Sequence, residues 1–399
     1  MKIKTALLVF VLGCSIAFIS CNKNDNGDNS SDVQASMQRV ADSIYNNIYD
    51  RWGIEQGGIH LYIAGPSGEY MASSNITPTP RPQTHFRIAS ISKTFTAASI
   101  MLLHQEGALN IDDLISEYLP NTPAYDIPYK NQITVKQLLQ HRAGVFDVTN
   151  NDLPETINAP YAGMKYENYI RDQDDTHTFT FDEIASINAE HQLSAASPDV
   201  GFFYSNTGYA LLGKIIEEVS GMRYGAFIDQ KFAVPLGLTE TYSPWNGTNT
   251  EMRTPYINSY LHLVGNGVLE TPEDNVSMHV SSGNIVSTPK NVTTWMRLLL
   301  TGNAGINAEN VALMQQMMPA NDGQELYGLG LIYEEGTGYG HNGIHKSHVS
   351  ALRYNPDTEI SVLVSANFLR FDPSDAESVK DLGYLVRDAL LPVVVEYQK

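Results

Sequence analysis

The chain has 399 residues, of which 42% are hydrophobic and 10% aromatic, so it can bury a sizeable core in one large or two ordinary domains. It carries 44 acidic and 25 basic residues, a formal net charge of −19. A surface of that sign repels phosphate backbones, and no Lys- or Arg-rich run is present, which argues against nucleic acid as a partner.

The N-terminus has the pattern of an export signal. Lys2 and Lys4 precede an apolar stretch from Ala6 to Ile19, which is shorter than the about 20 apolar residues of a membrane span. The stretch ends at Ser20-Cys21, which resembles a bacterial lipobox. We therefore predict a lipoprotein signal peptide over residues 1–20 and lipidation at Cys21. The alternative is an ordinary signal peptide with an incidental cysteine.

The residues around this signal support the same interpretation. Cys14 and Cys21 are the only cysteines, so the mature chain would have no disulfide, no thiol nucleophile and no cysteine zinc site. Residues 22–32 are rich in Asn, Asp, Ser and Gly, which predicts a flexible tether over residues 21–34. We expect a lipid-anchored envelope protein, and the resemblance to envelope lipoproteins favours the outer membrane. The sequence leaves its orientation and oligomeric state open.

Hydrophobic spacing then predicts the elements in chain order. The predicted helices are 37–49, 90–106, 135–141, 181–190, 207–219, 224–232 and 376–391, and the predicted strands are 59–64, 327–333, 348–354 and 359–366. Strands near both ends with helices between predict one sheet built from both termini. The predicted α/β domain covers residues 35–105 and 280–399, and a helical lobe covers residues 106–279. Residues 150–178 and 243–275 are not assigned.

The strongest chemical motif is Ser90-Ile91-Ser92-Lys93, a Ser-x-x-Lys at the start of a predicted helix. One helical turn places Lys93 beside Ser90, where a desolvated lysine can accept the serine proton. A helix N-terminus also offers free N–H groups to an oxyanion. Ser90 could instead be only a helix cap. Ser287-Thr288-Pro289-Lys290 is a second Ser-x-x-Lys, in which the proline predicts that Ser287 and Thr288 are capping residues.

Two further motifs complete the candidate site. Tyr204-Ser205-Asn206 is one of five Tyr-x-Asn sequences, but it alone is followed at once by a well-formed predicted helix. A phenol beside a lysine ammonium could ionise and act as a general base. His341-Asn342-Gly343 is the only Lys/His-x-Gly, and its glycine would let a strand edge approach a substrate closely.

These motifs, in this order, resemble those of the serine β-lactamase and penicillin-binding-protein superfamily. The closer resemblance is to the branch with class C β-lactamases, D-Ala-D-Ala carboxypeptidases, D-aminopeptidases and related esterases. The resemblance extends over residues 59–367. It is carried by the segments 86–96, 133–141, 203–209 and 282–288.

The resemblance implies a fold and a set of roles. The fold would be α+β, a mostly antiparallel sheet flanked by helices, with a helical lobe beside it. Ser90 would form an acyl-enzyme, with Lys93 and Tyr204 sharing the proton transfers. Asn206, Asn342 and Gly343 would bind the substrate. His341 would contact a substrate carboxylate or assist proton transfer. The backbone N–H groups of Ser90 and Ile344 would form the oxyanion hole. No cofactor is implied.

The sequence departs from the family pattern at the third motif, where His341 stands in place of a lysine and bulky residues follow Gly343. An unperturbed histidine titrates near pH 6.5, so we expect carboxylate-bearing substrates to be favoured only at lower pH. The implied substrates are small peptides, β-lactams or esters. The alternative function is a non-catalytic penicillin sensor or peptidoglycan-binding protein on the same fold.

A metal site is not expected. His341, His345 and His348 are close in sequence, but a strand would place the first two on one face and the third on the other. The sequence has no His-Glu-x-x-His, Gly-x-Ser-x-Gly or phosphate-loop motif.

Overall fold

The structure is a computed structural model that describes residues 26–320, 325–375 and 377–399. The predicted signal peptide and Cys21 lie outside the described residues. Among the helices that are described, none combines the length and the hydropathy needed to cross a membrane.

Helices and strands alternate irregularly along the described chain. The α-helices are α1 (Asn26–Trp52), α2 (Ser92–Gln105), α3 (Val135–Leu139), α4 (Tyr166–Arg171), α5 (Phe181–His191), α6 (Asn206–Ser220), α7 (Tyr224–Ile228), α8 (Pro289–Leu300), α9 (Ala308–Met314), α10 (Ser378–Asp388) and α11 (Leu390–Tyr397). The β-strands are β1 (Ile59–Gly65), β2 (Gly68–Ser74), β3 (Phe86–Arg87), β4 (Tyr260–Leu263), β5 (Gly267–Glu270), β6 (Val286–Ser287), β7 (Met318–Pro319), β8 (Leu326–Tyr327), β9 (Ile332–Glu334), β10 (Gly338–Ile344), β11 (Val349–Asn355), β12 (Ile360–Ala366) and β13 (Phe368–Phe371).

The main sheet joins both ends of the chain, as predicted. Its order in the described residues is β2-β1-β12-β11-β10-β9-β8-β7, and the pairings are antiparallel. On β1, Leu61 packs into the core shared with α1, α10 and α11, while Tyr62 faces the core shared with α2 and the helical lobe. Helices therefore cover both faces of the sheet, which explains why β12 is buried along its whole length. The predicted α+β fold class is confirmed.

The N-terminal helix is longer than predicted. The structure continues α1 back to Asn26, so residues 26–34 of the predicted tether are helical. Contacts with the sheet explain this difference. Val33 packs against the core beneath β1, and Gln34 and Gln38 donate hydrogen bonds to backbone carbonyls of edge strand β2, at 2.8 and 2.9 Å.

Three other predicted elements are divided by local geometry. The predicted strand 327–333 is a hairpin of β8 and β9, because Gly330 takes a positive φ of 71° in the turn between them. The predicted helix 224–232 is α7 followed by a π-helical turn, Asp229–Ala233. The predicted helix 376–391 ends at Asp388, and a separate helix, α11, follows it.

A small sheet crosses the predicted boundary of the helical lobe. Its order is β13-β4-β5, so residues from the predicted lobe pair with the C-terminal part of the chain. The strand β4 runs parallel to β13 and antiparallel to β5. The strands β4 and β5 of this sheet lie within residues 243–275, a segment for which the sequence analysis assigned no structure, and the sheet lines the cleft described below.

Candidate active site

Ser90 lies in a tight 3₁₀ turn, Ala89–Ile91, that leads directly into α2. Ile88 occupies the cap position of this turn, so the alternative that Ser90 is merely a helix cap is wrong. Ala89 has a φ of 49°, a conformation that is uncommon for a residue with a side chain. Strained residues of this kind are often found beside catalytic groups.

The second Ser-x-x-Lys has a structural role. Ser287 is completely buried in β6, and its hydroxyl is 2.8 Å from that of Thr241. Thr288 caps α8 by accepting a hydrogen bond from the backbone N–H of Asn291, and Pro289 is the first residue of that helix. Thr288 is therefore a capping residue as predicted, whereas Ser287 is a strand residue.

Lys93 is buried one turn after Ser90, and its Nζ has three oxygen neighbours. Nζ lies 2.6 Å from Asn206 Oδ1, 2.7 Å from the carbonyl oxygen of Ser282 and 3.2 Å from Ser90 Oγ. Burial lowers its pKa to about 7, although the nearby charge of Asp147 acts in the opposite direction. A neutral Lys93 would donate its two hydrogens to Asn206 and Ser282, which leaves its lone pair for the proton of Ser90.

Tyr204 shares a hydrogen bond with the side chain of Ser90, and Lys93 Nζ lies 4.8 Å from its ring centre. Burial raises the pKa of Tyr204 well above its usual range, more than the hydrogen bond with Ser90 lowers it. At neutral pH this residue is therefore a phenol that can donate a proton. The expectation that it ionises and acts as a general base is not supported.

Asn206, the first residue of α6, is held by buried polar groups. Its Nδ2 donates to Thr149 Oγ1 at 2.9 Å, and its backbone N–H donates to Asp147 Oδ2 at 3.1 Å. Asp147 also accepts hydrogen bonds from the backbone and the hydroxyl of Thr149. This network fixes the amide of Asn206 beside Lys93. Contact between Asn206 and a substrate stays a prediction.

His341 lies on β10 and is 2% exposed. Its Nδ1 is 2.5 Å from the carbonyl oxygen of Asn342, which can only accept, so Nε2 accepts from the hydroxyl of Tyr327 at 2.9 Å. Burial, together with the charge of Lys93, lowers the pKa of His341 to about 3. The imidazole is therefore neutral at physiological pH. The expected titration near pH 6.5 is wrong, so the carboxylate preference that depended on it has no support at this residue.

The next two residues of the motif have different surroundings. Alternation along β10 places the side chain of Asn342 on the opposite face from His341. Asn342 is not among the described residues that line the cleft at Ser90, so the predicted contact of its side chain with substrate is not supported. A Cβ on Gly343 would lie 2.6 Å from the carbonyl oxygen of Ile88 and 3.0 Å from Ala89 Cβ. The missing side chain at Gly343 therefore leaves room for the turn that carries Ser90, and not, as predicted, for a substrate.

A cleft of about 660 Å³ opens at Ser90 and Ile344. Ile344 ends β10, and its side chain is 40% exposed. The role of its backbone N–H in an oxyanion hole stays a prediction.

His345 follows and is held by Asp274, whose Oδ2 lies 3.0 Å from His345 Nε2. Burial alone would raise the pKa of Asp274, but the hydrogen bond with His345 and the charges of Lys346 and Arg87 lower it, so the carboxylate is ionised.

Two residues near the nucleophile had no role in the sequence analysis, His141 and Asp147. His141 packs its ring on Tyr204 with 4.2 Å between centroids, and its Nδ1 accepts the backbone N–H of Ser205 at 3.1 Å. His141 is the last residue of the segment 133–141, and the resemblance of that segment to the family was the signal that could have identified it. Asp147 had none, because its contact with Asn206 joins residues that are 59 apart in the sequence.

The three histidines at positions 341, 345 and 348 do not come together as a metal site. His341 pairs with Tyr327 and His345 with Asp274, and β10 ends before the second of them. Within the described ranges, no group of three or more His, Cys, Asp or Glu residues is arranged to hold a metal ion.

Solved structures with the same fold include a D-stereospecific amidohydrolase from Streptomyces sp., with a TM-score of 0.71 and 23% identity over 88% of this chain and 98% of that one. A D-amino acid amidase from Ochrobactrum anthropi SV3, complexed with L-phenylalanine amide, also has a TM-score of 0.71 and 23% identity, over 92% of this chain and 100% of that one. At this level of identity the likeness shows the fold.

Sequence relatives are similar over shorter regions. Penicillin-binding protein 4* of Bacillus subtilis (strain 168) is 31% identical over 191 residues, which cover 47% of this chain and 37% of the relative. Protein flp of Staphylococcus aureus (strain NCTC 8325 / PS 47) is 30% identical over 223 residues, 55% of this chain and 39% of the relative. The Beta-lactamase family model matches residues 48–383, most of the chain. The protein therefore belongs to the Beta-lactamase family, in the superfamily of serine β-lactamases and penicillin-binding proteins.

Proposed function

We propose that this protein is a serine hydrolase of the cell envelope that cleaves small amides or esters through an acyl-enzyme on Ser90. One observation carries the proposal: Ser90 Oγ lies 3.2 Å from a buried lysine whose other two contacts are oxygens that accept hydrogen bonds. A lysine in this arrangement, with a pKa of about 7, is a suitable base at neutral pH.

The reaction follows from these contacts. Ser90 Oγ attacks the substrate carbonyl carbon while its proton passes to Lys93 Nζ, which gives a tetrahedral oxyanion. When the bond to the leaving group breaks, Tyr204 protonates the leaving atom, and the Lys93 ammonium returns a proton to the phenolate. Water then attacks the acyl-enzyme carbonyl with the same residues acting in reverse, which releases the acid and frees Ser90.

The substrate class is proposed from the neighbours. Two proteins with this fold are a D-stereospecific amidohydrolase and a D-amino acid amidase, so amides of D-amino acids are the first substrates to test. Small peptides and β-lactams use the same acyl-enzyme chemistry and belong in the same panel. Because His341 is neutral in its buried site, nothing at this position favours substrates with a carboxylate.

Covalent labelling tests the nucleophile. After treatment with a fluorophosphonate probe, mass spectrometry should locate the adduct on the peptide that contains Ser90, and Ser90→Ala should abolish both labelling and turnover. Ser287→Ala is the matched control for the second Ser-x-x-Lys and should still be labelled. An adduct on Ser287, or full turnover by Ser90→Ala, would contradict the mechanism. Labelling of Ser90 without turnover of any substrate in the panel would instead favour a penicillin sensor.

A further inference from the structure

The small sheet beside the active site presents an apolar face to the cleft. In the parallel pairing of β4 and β13, Leu261 lies opposite Leu369 and Leu263 opposite Phe371. Residues two apart on a strand share a face, so these four side chains form one continuous patch, which we call the apolar face. All four line the cleft that also contains Ser90 and Ile344.

The two faces of this sheet differ in what covers them. On the face opposite the apolar face, Phe368 is completely buried and packs edge-on against His262, whose Nε2 hydrogen bonds to the carbonyl oxygen of Gln56. On the apolar face, Phe371 remains 44% exposed. Leu369 is only 8% exposed and Leu261 packs against the core, so the face is anchored at these two residues and opens into the cleft at Leu263 and Phe371. Apolar side chains that are open to a cleft next to reactive groups are typical of a ligand-binding wall.

Other residues that line the cleft are polar. Glu167 and Arg171 of α4 line it together with Asp274. The Arg171 guanidinium lies 3.1 Å from Glu167, 2.7 Å from Asp175 and 3.1 Å from Asp274, so these charges are paired and held in place. A substrate in the cleft therefore meets both the apolar face and this fixed polar surface.

We propose that the apolar face binds a large apolar side chain of the substrate, so that the protein prefers amides and esters of bulky apolar amino acids to those of small polar ones. This inference rests on the proposed function, since the same cleft contains Ser90. A phenyl or isobutyl group placed against the four side chains would bury apolar surface on both partners. The amide and any charged group of the substrate would then face α4 and Asp274.

Binding to the Ser90→Ala variant tests the inference without depending on turnover. Isothermal titration calorimetry should compare D-phenylalanine amide with D-serine amide, which differ only in the side chain. We expect the phenylalanine amide to bind roughly ten-fold more tightly, the effect of partly burying an aromatic ring. Adding Phe371→Ser or Leu263→Ser to this variant should bring the ratio of affinities close to one.

Val268→Ser is the matched control. Val268 is 39% exposed on the same sheet, but it pairs with His262 on the face opposite the apolar face, so its replacement should leave the ratio unchanged. Thermal unfolding should show that each variant is folded. Equal affinities, including no detectable binding of either amide at millimolar concentration, would overturn the inference, as would an unchanged ratio in Phe371→Ser.

Kinetics of the wild-type protein separate this inference from the proposed function. Turnover of a small ester such as p-nitrophenyl acetate, with labelling of Ser90, supports the proposed function whatever the side-chain preference. If turnover does not depend on the side chain of the substrate, only the inference about the apolar face is overturned. If Ser90 is neither labelled nor active, the proposed function fails, while the ratio of affinities still decides whether the apolar face binds a side chain.

Discussion

At the scale of single residues, the site depends on the protonation state of Lys93. Water solvates an ammonium strongly, and Lys93 is removed from water completely. Its pKa is therefore lowered from 10.5 to about 7, and the lysine loses its proton as the pH rises through that value. Below it, Lys93 is an ammonium and cannot accept the proton of Ser90.

We therefore predict that kcat/KM rises with pH and reaches half its plateau near pH 7, where Lys93 deprotonates in the free enzyme. The measurement is a pH profile with an ester that does not itself titrate, after subtraction of the rate with Ser90→Ala. Tyr204→Phe should lower the plateau by about 10²-fold, the usual scale for a positioned proton donor, without moving the midpoint. A profile that is flat from pH 6 to 9 would remove Lys93 as the base.

At the scale of elements, catalysis requires β10 and the turn before α2 to remain in close contact. Gly343 is the point of closest approach, because any Cβ there would clash with the backbone of Ile88 and with Ser350 Oγ at 2.9 Å. The contact holds the turn that carries Ser90 against the strand end at Ile344. The positions of these two residues are therefore coupled through Gly343.

Gly343→Ala should force β10 away from this turn. We expect a loss of about 1–3 kcal/mol in the free energy of unfolding, as for other overpacked sites, and a fall in kcat/KM of about 10²-fold, because displacements near 1 Å are that costly in active sites. Thermal unfolding and steady-state kinetics measure the two effects.

Gly208→Ala provides the control for Gly343→Ala. Gly208 is in α6, close to Asn206, and a Cβ there would make only ordinary contacts, the nearest at 3.6 Å. This variant should keep its activity and should be as stable as the wild type or slightly more so, since alanine favours a helix. Normal activity in Gly343→Ala would show that the close contact is not needed.

At the scale of the whole molecule, the proposed place in the envelope depends on the N-terminal segment. The apolar stretch 6–19 followed by Ser20-Cys21 motivates a lipid anchor at Cys21. The net charge of −19 would work against adsorption of the protein to an anionic membrane surface, so retention at the membrane would depend on the lipid.

We predict that Cys21→Ser moves the protein from the membrane fraction to the soluble fraction. Cys14→Ser, within the apolar stretch, is the matched control and should stay with the membrane. Mass spectrometry of the N-terminal peptide should find the lipid on Cys21. A wild-type protein that is already soluble and carries no lipid would contradict the prediction.

Local sequence was sufficient for features that depend on neighbouring residues. The spacing of Ser90 and Lys93 places them one helical turn apart, and the structure has them in hydrogen-bond contact. Thr288 before Pro289 predicts a helix start, which the structure confirms at α8. These features follow from backbone geometry and short-range hydrogen bonds. The shared sheet, in which β1 pairs with β12, was predicted only from the presence of strands near both ends of the chain.

Tertiary structure alone decided the chemistry of the site. Lys93 owes its lowered pKa to burial, and its partners Asn206 and Ser282 lie 113 and 189 residues away in the sequence. The neutrality of His341 has the same origin, because an isolated histidine would titrate near 6.5. The apolar face likewise exists only because β4 pairs with β13, a strand from the C-terminal part of the chain. Desolvation and long-range pairing depend on which distant residues meet, and local patterns in the sequence do not encode that.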